Sequence, residues 1–170
     1  FDTDNSWRKN DDPTILDTVI EHKISISNYT QAYGLYQILE LMKQHCRLNM
    51  GSGCHIHIDI TNTQQYLNKI DDLWSTKDKF RDSIKRWFDD NFFNNGESVR
   101  IFGEYDGEYN YEKTTFDYKR GQVNIRNDYK TIEFRTAPMT FDYHTIMVWF
   151  IECNKIVRKF DAWVHNTFKF

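Results

Sequence analysis

The cleanest alternation of polar and apolar positions lies at residues 53–60, where His55, His57 and Asp59 interleave with Ile56, Ile58 and Ile60. Side chains of a strand point to its two faces in turn, so this pattern predicts a half-buried strand with two imidazoles and a carboxylate on its wet face. Burial of the isoleucines fixes the register, because a slip of one residue would bury the imidazoles instead. TIEFRTA, residues 131–137, repeats the arrangement, with Thr131, Glu133 and Arg135 on one face and Ile132 and Phe134 on the other. GQVNIR, residues 121–126, predicts a further strand, and Asn127-Asp128 a turn between the two. Residues 19–26 set Val19, Glu21, Lys23 and Ser25 against Ile20, His22, Ile24 and Ile26, which predicts another strand.

Elsewhere the apolar period lengthens to that of a helix. Ala32, Leu35, Tyr36, Leu39, Met42 and Cys46 make one stripe, which predicts a helix over 29–46 capped by Ser27 or Asn28. Residues 62–90 predict two helices that meet near Ser75–Asp78, the first burying Tyr66, Leu67, Ile70, Leu73 and Trp74, the second Phe80, Ile84, Trp87 and Phe88. A long helix over 142–168 starts at an Asp142 cap and buries Ile146, Trp149, Phe150, Cys153, Ile156, Val157, Phe160, Trp163 and Val164. Residues 91–118, with Asn-Asn-Gly and Asp-Gly, read as loop or hairpin. These elements predict an α+β domain over 1–170, an antiparallel or mixed sheet with long helices on one face.

Composition narrows the function classes. A net charge of −3 lacks the Lys and Arg excess that nucleic acid demands, and no apolar run reaches membrane-span length. Three widely spaced cysteines, Cys46, Cys54 and Cys153, form no CxxC pair, which disfavours a disulfide framework or a thiolate zinc site and fits a reducing, cytoplasmic setting. All three are expected to be buried.

The wet strand faces are where chemistry would sit. Two imidazoles two residues apart on a strand face one cleft, a common way to hold a divalent metal; the competing reading is a polar face turned to solvent. Glu133 beside Arg135 reads, taken alone, as a surface cross-strand ion pair, with a carboxylate for a metal and a planar fork for phosphate as the alternative. Glu21 lies on a polar strand face, and Arg120 and Arg126 flank the 121–126 strand, where a charge is ordinarily solvated. No GxxxxGK[ST] run is present, so a Walker-type nucleotide site is excluded.

Together, GSGCHIHID, the later R-x-x-V-N of Arg120 and Asn124, TIEFR and the closing aromatic helix resemble the amidoligase family. That family is related to glutamine synthetase and the glutamate–cysteine ligases. DNSW near the start and VIEHKIS are similar to its Asp-Gly-Ser segment and its Glu-bearing strand, so the resemblance spans most of residues 2–165. It implies a glutamine-synthetase-like catalytic domain, an ATP-dependent carboxylate–amine ligase working through an acyl phosphate, with Mg²⁺ or Mn²⁺. By position it implies Glu21, His55 and Glu133 on metal, His57 near them or on substrate, Arg135 and Arg120 on phosphate or carboxylate oxygens, and Asn124 at the nucleotide. Tyr105, Tyr109 and Tyr111 would wall the nucleotide or substrate. The partners implied are a nucleotide and a small amino acid or peptide, with homo-oligomer formation as in the wider superfamily. One departure stands out: the family's first strand, Glu-x-Glu, has no counterpart, so either an N-terminal strand is lacking from this chain or the site is degenerate. Two further readings remain, a metal-dependent hydrolase built on HxHxD and a non-catalytic module that keeps the ligase fold.

Overall fold

The computed structural model describes residues 5–9, 16–20, 24–48, 53–71, 77–104, 112–116, 121–126 and 129–168. Two compact units divide the chain, residues 1–46 and 47–170, where the sequence predicts one domain. In the first unit, β1 (Asn5–Lys9) pairs antiparallel with β2 (Leu16–Ile20), and α1 (Tyr29–His45) follows. The Asn28 side chain accepts from the Gln31 backbone N–H at 3.0 Å, so of the two predicted caps it is the one used. Ala32, Leu35 and Leu39 are buried along α1, while Tyr36 and Cys46 are exposed. The strand expected over 19–26 is displaced: it runs over 16–20, and residues 24–26 form none.

The second unit holds β3 (Gly53–Asp59), α2 (Thr61–Asp71), α3 (Lys77–Phe88), a π-helical turn (Asp89–Phe93), α4 (Glu97–Phe102), β4 (Thr114–Phe116), β5 (Val123–Arg126), β6 (Thr131–Pro138) and α5 (Tyr143–Thr167). Its sheet has the order β3-β6-β5-β4, antiparallel except for the parallel β4–β5 pair. The chain is thus mixed α+β.

Register explains the two faces. Ile56 pairs with Phe134, Phe134 with Val123 and Val123 with Thr114; beside them run Ile58, Ile132, Ile125 and Phe116. These rows are almost wholly buried, each large apolar side chain contributing about 1.5–3 kcal/mol. Helices supply the other half of the core. Phe160 of α5 stacks near Phe88 and Trp87 of α3 at 5.2 Å between ring centroids, and Phe92 meets Phe134 at 5.5 Å. Asp142 caps α5 by accepting from the His144 and Thr145 backbone N–H groups.

The prediction of loop or hairpin over 91–118 is overturned by the π-helical turn, α4 and β4. Gly96 and Gly103 bracket α4 with φ of 79° and 78°, a backbone that glycine adopts without strain. Between them Ile101 and Phe102 are buried, the latter against Trp149. The Gly96 of Asn-Asn-Gly, which reads as a turn signal, is the start of a short helix, and the Asp-Gly at 106–107 lies outside the described residues.

Candidate active site

Opposite the apolar rows, cross-strand neighbours His57, Glu133, Asn124 and Thr115 form one polar row across all four strands. Partners directly opposite in a sheet share a face, so this row follows from the same register that buries the hydrocarbon. Glu133 sits on an interior strand between β3 and β5, and its side chain is only 3% exposed. The surface ion-pair reading of TIEFR therefore fails for Glu133.

A carboxylate below the surface needs partners for its charge. Arg135 Nη1 donates to Glu133 Oε1 at 2.7 Å. Asn124 Nδ2 donates to Oε2 at 3.2 Å, and Arg126 Nη1 lies 3.6 Å from the same oxygen. Asn124 is fully buried, and its Oδ1 accepts from the Thr115 hydroxyl at 3.2 Å, which fixes the orientation of the amide. Burial pushes the Glu133 carboxyl up, but Arg135, His57, His55 and the Asn124 hydrogen bond outweigh it and hold the group below the usual carboxylate range.

The two imidazoles stand at the rim. His55 Nδ1 and His57 Nε2 each lie 3.6 Å from Glu133 Oε1, with side chains 34% and 40% exposed. His57 Nδ1 hydrogen-bonds with Thr131 Oγ1 at 3.2 Å, which turns the other ring nitrogen towards Glu133. Arg135 reaches its place through a bulge. Cys54 pairs with Ala137 and Ile56 with Phe134, so the two-residue step on β3 faces a three-residue step on β6, with Arg135 and Thr136 opposite His55. Bulges of this kind re-aim side chains.

Of the residues singled out in the sequence, His55, His57, Asn124, Glu133 and Arg135 converge. Asn124, expected at the nucleotide, spends its amide on Glu133 and Thr115. Asp59 leaves the constellation: its Oδ1 accepts from the Thr61 hydroxyl at 2.6 Å and backbone N–H at 3.3 Å, tying β3 to the start of α2. Glu21, Arg120, Tyr105, Tyr109, Tyr111 and the Asn127-Asp128 turn lie outside the described residues. Arg126 was read as a solvated charge; it is buried, 4.7 Å from the Tyr129 ring centroid, and joins the site. Its side of β5 alternates with Val123 and Ile125, which was the available signal.

Among the described residues no group of three or more His, Cys, Asp or Glu side chains is arranged to hold a metal ion. His55, His57 and Glu133 are near neighbours, yet the oxygen they share is already bound to a guanidinium. As they stand, these residues do not fit a metal ion. Neither family models, curated proteins nor solved structures yield a match to this chain.

Proposed function

We propose that this chain is an ATP-dependent carboxylate–amine ligase with a glutamine-synthetase-like domain, acting on a small amino acid or peptide in a reducing cytoplasm. One observation carries the reading: Glu133, buried and paired with Arg135, faces His57 across one register row, and the imidazole of His55 reaches the same oxygen from the neighbouring bulge. This is the juxtaposition that the resemblance to amidoligases requires of the GSGCHIHID and TIEFR strands. The described helices include none long and apolar enough to cross a membrane.

In such a reaction a substrate carboxylate oxygen attacks the γ-phosphorus of ATP, the bond to the ADP oxygen breaks, and an acyl phosphate forms. An amine then attacks the carbonyl carbon, phosphate leaves with the bonding pair, and the nitrogen loses a proton as the amide forms. This chain's part is positioning and charge. Arg135, at the partly open rim, presents a fork to phosphoryl or carboxylate oxygens, where charge-assisted contacts are strongest. Glu133 holds that fork, and Asn124 with Thr115 holds Glu133. The resemblance also calls for Mg²⁺ or Mn²⁺, which the described residues do not fit as they stand.

The hydrolase reading loses Asp59 to the start of α2. A non-catalytic scaffold is favoured by one fact, that both Glu133 oxygens are already engaged. Calorimetry with ATP and Mg²⁺ separates it from the ligase: binding, followed by ADP release when carboxylic acids and amines are supplied, supports the ligase. No nucleotide affinity removes it.

A further inference from the structure

We propose that the cavity between α3 and β4 is a second binding site, apart from the β3–β6 constellation, for a zwitterion the size of a dipeptide. It stands independently of the ligase reading. The cavity measures about 360 Å³, within the range of small-molecule pockets. Asp78, Arg81, Asp82 and Lys85 line it from α3, and Glu112, Thr115 and Phe116 from β4 and the stretch before it. The spacing of the first four, at i, i+3, i+4 and i+7, puts them on one face of the helix.

A solvated helix face would pair these charges within the helix, Asp78 with Arg81 and Asp82 with Lys85, each three residues apart. The structure does otherwise. The Arg81 guanidinium lies 5.1 Å from the centroid of the Phe116 ring, and Lys85 Nζ stands 3.9 Å from Glu112 Oε2. Among the described residues neither aspartate side chain takes part in a hydrogen bond or an ion pair. Two like pairs one turn apart remain, Asp78 with Asp82 and Arg81 with Lys85, and like charges at that spacing repel. Three residues, about 4.5 Å of helix axis, separate the acidic pair from the basic one. A lone cation would relieve only the first pair and a lone anion only the second. A molecule with both an ammonium and a carboxylate relieves the two together. Thr115 carries the effect further: it lines the cavity, and its hydroxyl donates to Asn124 Oδ1, the amide that holds Glu133. An occupant that shifts Thr115 therefore shifts the polar row.

The test is titration of the full chain with glycylglycine, followed by nuclear magnetic resonance, beside two blocked forms. N-acetylglycylglycine lacks the ammonium and glycylglycinamide lacks the carboxylate. Each loses a charge-assisted contact, so each should bind about tenfold more weakly or worse. Asp78→Asn combined with Asp82→Asn should weaken glycylglycine by about tenfold and remove its advantage over N-acetylglycylglycine. Asp82→Asn alone serves if the double variant does not melt cooperatively. Lys85→Gln should remove the advantage over glycylglycinamide. Asp90→Asn, a loss of charge at an exposed residue outside the cavity, should leave all three affinities unchanged. The side-chain amide signals of Asn124 should move as glycylglycine binds, and binding that leaves them in place overturns the link through Thr115. Equal affinities for the three ligands, or no saturable binding of any, overturn the site. Binding that survives the Asp and Lys substitutions unchanged belongs elsewhere on the chain and overturns it too. None of these results touches the ligase reading, which the titration with ATP tests.

Discussion

Glu133 carries its charge below the surface because its two oxygens are divided between Arg135 on one side and Asn124 with Arg126 on the other. Glu133→Gln keeps the shape and leaves two guanidiniums without their counter-charge. The proposed ATP turnover is expected to vanish, and chemical denaturation should show a loss of about 3 kcal/mol, typical of breaking a buried pair from one side. The sign of the pH dependence follows from the lowered carboxyl. Its contribution is fully present above the ordinary glutamate value, about 4.3, and is lost as pH falls through the depressed folded value. The stability gap between the unmodified chain and Glu133→Gln should therefore stay level at neutral pH and close only in acid; a gap that widens in acid contradicts the pairing. Which face Glu133 occupies was legible in TIEFR from alternation alone. Its depth was not, because depth comes from β6 lying between β3 and β5, a tertiary fact that also turned Arg126 from a solvated charge into a site residue.

At the scale of elements, the helix and strand periods placed β3, β5, β6, α3 and α5 close to where they lie, since each has a strong one-sided apolar pattern and, for α5, a legible cap. Asp142→Ala should lower the melting temperature by removing the cap, with no effect on nucleotide binding. What sequence could not supply was the partner of a short element. Thr114–Phe116 has too few residues for a period, and its strand exists because it lies parallel against β5. Gly121 marks how tightly that join is made. A Cβ there would stand 2.3 Å from Thr115 Oγ1 and 2.7 Å from the Val123 carbonyl oxygen, the second of which is backbone and cannot swing aside. Gly121→Ala is thus expected to push β4 from β5 and cost about 1–3 kcal/mol. It should also lower the turnover proposed for this site by releasing the Thr115–Asn124 hydrogen bond. An alanine variant with unchanged melting temperature and unchanged turnover would show that the row is not held from this edge. The bulge that aims Arg135 was equally hidden, because nothing in the composition of TIEFRTA marks an added residue.

On the scale of the whole molecule, the three cysteines sample three depths, and the expectation that all would be buried holds for one. Cys46 is exposed just beyond α1, Cys54 is half-buried on β3, and Cys153 is buried in α5. Apolar residues on one helical stripe were taken to share one fate, yet a stripe shows which side faces inward and not how far the neighbouring element reaches. The thiolate is the reacting form, so burial protects twice, by blocking access and by disfavouring ionisation. Burial pushes the Cys54 thiol up to about 11 and pushes Cys153 up further still, with the nearby Cys54 and Glu152 adding to it. Labelling with a thiol reagent at neutral pH should accordingly resolve one fast thiol and two slow ones. Cys153 is fully buried on α5, with Cys54 of β3 among its neighbours, so its reaction requires the core to open. Its rate should then follow the equilibrium between folded and unfolded chain, rising with denaturant along the same slope as global unfolding. The slower of the two protected thiols in Glu133→Gln should speed up by the factor that the lost stability dictates, roughly a hundredfold for about 3 kcal/mol. If it reacts at the unmodified rate while the melt shows destabilisation, the polar row and the apolar core on the other side of the sheet open independently, and one cooperative unit does not hold both.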